Sequence, residues 1–165
     1  SARMNRMSAS KARTMFYIYS ALMGLSLSSI LLTFDMPSVA RAFFVTAGAF
    51  AGLSIYGYTT KRSLSALGSF MMIGLFGLII ASVVNIFLAS SAMHFVISVA
   101  GVLIFAGLTA YDTQRLKNEY LHYAQMGSQG AAYLAKGAIM GALSLYINFL
   151  NMFMFLLQFM GAARE

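Results

Sequence analysis

The chain has 165 residues, of which 60% are hydrophobic and only 9% charged, and its formal net charge at pH 7 is +7. An ordinary soluble domain has about 45–50% apolar and about 25% charged residues, so this composition excludes a soluble globular fold. It predicts an all-α integral membrane protein, a polytopic helical bundle. The absence of cysteine also excludes disulfide bonds and thiolate metal sites.

Long runs without Asp, Glu, Lys or Arg mark the membrane spans. A helix needs about 20 apolar residues to cross the bilayer core, and the uncharged run over residues 63–111 is long enough for two crossings. Its most polar stretch, residues 89–94, is the predicted turn of a helical hairpin. We therefore predict a single membrane domain over residues 1–165 with five transmembrane helices, at about 15–34, 40–59, 66–88, 94–112 (extending to about 120) and 137–160.

The basic residues predict the orientation, because Lys and Arg are retained on the cytoplasmic side of a membrane. Arg41 and Arg164 fall on one side of the spans. The other nine fall on the opposite side: Arg3, Arg6, Lys11, Arg13, Lys61, Arg62, Arg115, Lys117 and Lys136. We expect the side of residue 1 to be cytoplasmic and the C-terminus to be outside. This distribution accounts for the net charge without a nucleic-acid partner.

The N-terminal residues are basic and polar and are followed by a run long enough to span, so no cleaved signal peptide is predicted. The chain begins Ser1-Ala2-Arg3 without an initiator methionine, which favours a truncated or processed product.

Small residues at four-residue spacing predict close helix packing inside the membrane, where helices associate through van der Waals contact and hydrogen bonds. The pattern occurs twice, as Gly48-x-x-x-Gly52 and as Gly137-x-x-x-Gly141.

The last span carries small and polar residues on one helix face. Their spacing alternates between four and three residues, in the series Gly137, Gly141, Ser144, Asn148, Asn151, Phe155 and Gln158. An unpaired amide facing hydrocarbon costs several kcal/mol, so this face must meet protein or water. We expect this helix to be central and surrounded by the others. Its polar face is either a packing seam or the lining of an ion or solute path.

Asp112 is the most informative single residue. It shares a helix face with Ser98, Gly101 and Thr109. If the helix continues to about Tyr120, Asp112 lies about 12 Å inside its cytoplasmic end and faces Asn148. An ionisable residue at that depth indicates proton or cation handling. The alternative is a position among the lipid headgroups, where Asp112 forms a surface pair with Arg115 or Lys117.

Three stretches, residues 54–62 with Ser69-Phe70, 106–114 and 142–151, together resemble the Bax inhibitor-1 family of transmembrane proteins, in its bacterial branch. The resemblance runs through nearly the whole chain. It implies a fold of seven helices, six of them around a central seventh. This chain would then contain the third to the seventh and lack the first two.

The resemblance further implies a pH-sensitive calcium leak controlled by two aspartates near the cytoplasmic mouth. Asp112 occupies the first position, and Asn148 stands where the family commonly has the second aspartate. Two close carboxylates share a proton because both cannot ionise cheaply. An Asp–Asn pair has no such coupling, so we expect a weaker or shifted pH response and weaker calcium binding. Calcium is expected only as a transported ion, with no bound cofactor.

Two other functions compete with a leak channel. The chain could be a non-conducting regulator that binds another membrane protein, such as a membrane protease, through its small-residue seams. An enzyme is not expected. The dipeptide Tyr111-Asp112 is similar to that of intramembrane aspartyl proteases, but those need two facing aspartates and the only other one is Asp35. No Ser–His or zinc arrangement is present either.

Overall fold

The computed structural model describes residues 7–161, and within them the chain is helical from end to end. A short 3₁₀ turn, Gly127–Gln129, precedes the last helix. The helices are α1 (Ala9–Leu27), α2 (Ile30–Thr33), α3 (Met36–Thr59), α4 (Ser65–Leu88), α5 (Ser91–Ala124) and α6 (Ala131–Met160). Five segments are long and apolar enough to cross a membrane, with α1 and α2 together forming the first. The predicted number of spans and the all-α polytopic class are confirmed. Arg3, Arg6 and Arg164 lie outside the described residues.

Several helices extend beyond the apolar runs that predicted them. Helix α1 begins at Ala9, where the hydroxyl of Ser8 accepts a hydrogen bond from the amide of Lys11 (3.4 Å). Helix α5 has 34 residues, a length of about 51 Å against about 30 Å for the bilayer core. Hydropathy locates the part of a helix that lipid surrounds, whereas the helix itself continues through polar residues. Helix α5 is therefore longer than one crossing of the bilayer core requires.

The predicted hairpin turn joins α4 to α5. Ala89 ends α4 in a left-handed conformation, with φ 48°. The side chain of Asn85 accepts a hydrogen bond from the amide of Ser90 (3.0 Å), and the hydroxyl of Ser90 accepts one from the amide of Met93. Side chains thus satisfy backbone donors at the start of α5 that would otherwise lack partners near the membrane surface.

A carboxylate caps the start of α3, directly after the short helix α2. Asp35 accepts a hydrogen bond from the amide of Ser38 (3.3 Å) at the start of α3. Hydrogen bonding with Ser38 lowers the pKa of Asp35 below its ordinary value. A charged carboxylate at this position complements the positive end of the helix dipole.

Helices α5 and α6 run antiparallel at the centre of the described bundle. The main neighbours of α6 are α1, α3 and α5, and those of α5 are α3, α4 and α6. One apolar cluster, which includes Leu78, Phe105 and Met152, lies between α4, α5 and α6. Another, around Ala42 and Leu157, lies between α2, α3 and α6. Helix α6 lies inside the bundle, as its polar face predicts, and α5 shares that position.

The glycines that allow close packing are only partly those of the predicted pattern. At Gly141 an added Cβ would overlap the side chain of Leu116, so this glycine seats α5 against α6. At Gly48, Gly52 and Gly137 an added Cβ would meet nothing within 4 Å. Gly48 and Gly52 lie on the exposed side of α3, away from the described neighbours. The closest approach of α3 is instead at Gly57, against the backbone of Ala110.

Side chains of α5 hold the loop between α3 and α4. Gln114 accepts a hydrogen bond from the amide of Leu64 and donates one to the carbonyl of Arg62, both at 2.8 Å. Lys117 donates to the carbonyl of Tyr58 (2.7 Å), and its ammonium lies 4.8 Å from the centre of the Tyr58 ring. These bonds satisfy backbone groups that neither helix can pair.

We expect Gln114→Ala to release this loop. The amide of Leu64 then loses its acceptor, and the cost is about 1–3 kcal/mol if no water replaces it. Hydrogen exchange of the Leu64 amide should become faster by one order of magnitude or more, since about 1.4 kcal/mol corresponds to a factor of ten. Asn118→Ala, at an exposed position one turn further along α5, is the matched control and should leave that amide unchanged. Equal exchange in the two variants would contradict the role of Gln114.

Candidate ion and proton site

A buried hydrogen bond joins the two central helices at the predicted position. The side-chain amide of Asn148 on α6 donates to the carboxylate of Asp112 on α5, with 2.8 Å between Nδ2 and Oδ2. Asp112 is 8% exposed and Asn148 5% exposed. A hydrogen bond to a charged acceptor contributes about 1.5–3 kcal/mol, more than one between neutral groups. This contact joins α5 to α6 near the end of the bundle that carries the loop between α3 and α4.

The second oxygen of Asp112 faces a cation. Arg115 Nη2 lies 3.2 Å from Asp112 Oδ1, and the Arg115 side chain is 39% exposed. The guanidinium lies 5.9 Å from the centre of the Tyr111 ring and near Glu119, with Arg115 Nε 3.8 Å from Glu119 Oε1. Both sequence interpretations of Asp112 therefore describe part of its surroundings, since it faces α6 and also pairs with Arg115. Lys117 does not join it, because its ammonium is at Tyr58.

At this site the carboxylate of Asp112 has one neutral donor, the buried amide of Asn148, and one partly exposed cation, Arg115. Calcium takes about 6–8 oxygen ligands, and within residues 7–161 no group of three or more His, Asp or Glu side chains could hold a metal ion. The carboxylate is bonded through one oxygen to the amide of Asn148 and through the other to the guanidinium of Arg115. It does not form a closed metal-binding cage.

Two more side chains of the polar face on α6 have partners. Ser144 and Asn151 are half-buried and Gln158 is exposed. Asn151 donates to the carbonyl of Ile147 on its own helix (2.8 Å), and Gln158 lies 3.5 Å from the hydroxyl of Ser98 on α5. The face thus meets polar side chains of α5 at two levels, through Asn148 with Asp112 and through Gln158 with Ser98.

Sequence reasoning missed a polar cleft beside the turn between α4 and α5. The cleft has a volume of about 700 Å³. We call it the hairpin cleft, and its polar lining includes Ser82 and Asn85 of α4, His94 and Ser98 of α5, and Gln158 of α6. These residues come from three helices, so no single stretch of sequence marks the cleft. The spacing of His94 and Ser98 by one helical turn is the one signal in the sequence.

A bundle of five membrane-spanning helices with a buried carboxylate between its two central members defines the class as a polytopic α-helical membrane protein. The chain belongs to the Bax inhibitor-1 family. The family model described as "Inhibitor of apoptosis-promoting Bax1" (Bax1-I) matches residues 1–165, which confirms the resemblance found in the sequence.

Bacterial proteins are similar over most of this chain. An uncharacterized protein of Caulobacter vibrioides is 54% identical over 154 residues, which cover 93% of this chain and 60% of that protein. The inner membrane protein YbhL of Escherichia coli is 44% identical over 164 residues, covering 99% of this chain and 69% of its own length. A Borreliella burgdorferi protein is 42% identical over 165 residues, again covering 69% of its length. The chain thus spans between 60% and 69% of these relatives.

Proposed function

We propose that the chain is part of a pH-sensitive cation leak, with calcium as the transported ion, in a bacterial inner membrane. The observation that carries this proposal is the buried hydrogen bond between Asp112 and Asn148 across the two central helices. A carboxylate inside a membrane bundle is costly and is typical of proton and ion pathways. The name of the Escherichia coli relative supports the inner-membrane location.

In the proposed mechanism the ionised Asp112 keeps the path closed. Its two oxygens hold Asn148 of α6 and Arg115 of α5, so the charge is neutralised and the helices are fastened together. Protonation removes the negative charge, which weakens both contacts and frees the α5–α6 seam to open. Flux should therefore rise as the pH falls. Asn148 does not titrate, so this response depends on a single proton.

We further propose that the end of the bundle with Asp112 faces the cytoplasm. The loop between α3 and α4, with Lys61 and Arg62, lies at the same end as Lys117 because α5 binds that loop. Positive charge collected at one end is typical of the cytoplasmic side. The role proposed is transport without catalysis and without a bound cofactor.

Asp112→Asn is the direct test. It keeps the size of the side chain but removes the charge and the titratable group, so we expect the dependence of cation flux on pH to disappear. Calcium entry into proteoliposomes is measured between pH 5 and pH 8 with a trapped fluorescent indicator. Glu119→Gln removes a different carboxylate near Arg115 and is the matched control, which should keep the pH response. No flux from the unmodified chain, or an unchanged response in Asp112→Asn, would contradict the proposal.

One observation favours a second function, a non-conducting regulator that binds a membrane protease or another membrane protein. Gly48 and Gly52 form a small-residue surface on α3 against which none of the described helices packs closely. Such surfaces allow two helices to approach closely. Co-purification from native membranes, compared with Gly52→Leu, tests this function. A stoichiometric partner that is lost in Gly52→Leu, together with absence of flux, would favour the regulator.

A further inference from the structure

The hairpin cleft is a polar space at the end of the bundle opposite Asp112. Its lining offers neutral oxygen and nitrogen atoms from Asn85, Ser98 and Gln158, and His94 is its one titratable residue. Ser98 is only 1% exposed, yet its hydroxyl lies within 3.5 Å of both the His94 ring and Gln158. Polar side chains at membrane depth require water or protein as partners. The cleft is roomy enough for many water molecules, each of which occupies about 30 Å³ in the liquid.

An apolar layer separates the hairpin cleft from Asp112. The ring of Phe155, which forms part of the cleft lining, is stacked on that of Phe105, with 6.0 Å between centroids and 23° between planes. Gly101 provides the space for Phe155, because an added Cβ would lie 2.6 Å from its ring. Met152, the next α6 residue on this side, is fully buried. Beyond Met152 comes the bond between Asn148 and Asp112.

The two polar regions therefore lie on one line along α5 and α6. Ser98 and Asp112 are separated by fourteen residues of α5, which is about 21 Å along the helix axis. Their partners on α6, Gln158 and Asn148, follow in the reverse order. Between them lie the aromatic and thioether side chains of Phe105, Phe155 and Met152, and the polar side chain at this level, Asn151, donates to the carbonyl of Ile147 on its own helix. An apolar constriction of this kind stops ions by excluding water rather than by filling a binding site.

We infer that the hairpin cleft is the water-filled outer vestibule of the cation path, and that Phe105, Met152 and Phe155 form the plug that closes it. The inference deepens the proposed function and rests on it for the direction of transport. The vestibule takes a hydrated cation. Neutral oxygens line it and no carboxylate does, so it admits the ion without holding it. Displacement of the Phe155 ring from Gly101 would connect the vestibule to Asp112.

The chain has no cysteine, so single substitutions place unique thiols on either side of the plug. Ser82→Cys and Thr109→Cys are a matched pair. Both hydroxyls donate to the carbonyl four residues earlier on their own helix, at 2.8 Å and 2.7 Å. Ser82 is half-buried and lines the cleft, whereas Thr109 is fully buried and lies beyond Phe105, towards Asp112. A charged, membrane-impermeant thiol reagent is added to sealed membrane vesicles of each orientation.

Ser82→Cys is expected to react from the side of the cleft, and Thr109→Cys to be protected from that side. Met36→Cys is the positive control for access of the reagent to this side, because Met36 is exposed and lies at the same end of the bundle as the cleft. Adding Phe155→Ala should make Thr109→Cys reactive from the cleft side and raise calcium flux several-fold. Phe155→Leu keeps the layer apolar and should preserve both the protection and the low flux.

Protection of Ser82→Cys where Met36→Cys reacts would overturn the vestibule. Labelling of Thr109→Cys from the cleft side with Phe155 intact would overturn the plug. Equal labelling of Thr109→Cys and equal calcium flux in Phe155→Ala and Phe155→Leu would also overturn the plug. If the labelling follows the expected pattern but no variant conducts calcium, the result supports the water-filled cleft and its apolar barrier and contradicts the proposed leak alone.

Discussion

Asn148→Asp is expected to reverse the dependence of cation flux on pH, so that flux rises with pH instead of falling as proposed for the unmodified chain. The substitution replaces the donor that lies 2.8 Å from Asp112 with a second carboxylate oxygen. Two carboxylates at this distance in a buried site cannot both ionise cheaply, so the pair retains one proton between them. Release of that proton at higher pH leaves two negative charges, of which Arg115 neutralises only one, so the two helices repel each other and the seam opens.

Calcium entry into proteoliposomes between pH 5 and pH 8 measures this effect. Asn151→Asp is the matched control, because it introduces the same charge on the same helix while the amide it removes serves only the carbonyl of Ile147. We expect the control to keep the response of the unmodified chain, with flux falling as the pH rises. A reversed response in both variants would show that added charge on α6 is sufficient, and would contradict a specific coupling to Asp112.

Gly57→Ala is expected to destabilise the bundle strongly. The added Cβ would overlap the carbonyl oxygen of Ala110, and neither backbone can move without shifting a whole helix. Overpacking of this kind costs about 1–3 kcal/mol and occasionally more, which outweighs the gain of about 0.5–1 kcal/mol from replacing glycine in a helix. The free energy of unfolding of each variant is measured in detergent or bicelles, by denaturant titration or by steric trapping.

Gly52→Ala is the control for this prediction. It lies five residues earlier on the same helix, and an added Cβ would meet nothing within 4 Å. The remaining contribution is the higher helix propensity of alanine relative to glycine, so we expect Gly52→Ala to leave the stability unchanged or to raise it slightly. Equal stabilities for the two variants would contradict the close backbone contact between α3 and α5.

Apolar runs and helix periodicity were sufficient to predict the helices and the central contact. Charged residues interrupt the spans sharply, and Asp112 and Asn148 each fall on the polar face of their helix. A buried carboxylate and a buried amide on adjacent helices have few ways to satisfy each other, which is why their pairing follows from sequence. The role of either residue in transport stays a prediction.

The packing glycines could not be assigned from sequence in the same way. A four-residue spacing shows that two glycines share a helix face but does not say which neighbour that face meets, and Gly48 and Gly52 meet none of the described helices. Gly57 has no such spacing partner, yet it makes the tightest contact of α3. The bonds from Gln114 to Arg62 and Leu64 span about fifty residues of chain, so only the tertiary arrangement reveals them.

Side-chain bonds near Asp112 restrict how α5 can move. Within less than two turns, Asp112 is bonded to α6, Gln114 to the loop before α4 and Lys117 to the last turn of α3. Sliding of α5 along its axis would break all of these bonds together, whereas tilting about them can leave the bonds of Gln114 and Lys117 intact. This bonded segment would then act as the pivot, and the start of the helix at Ser91, about 30 Å away, would move through the largest arc. A small rotation at the carboxylate would thereby become a large displacement at the opposite end of the bundle.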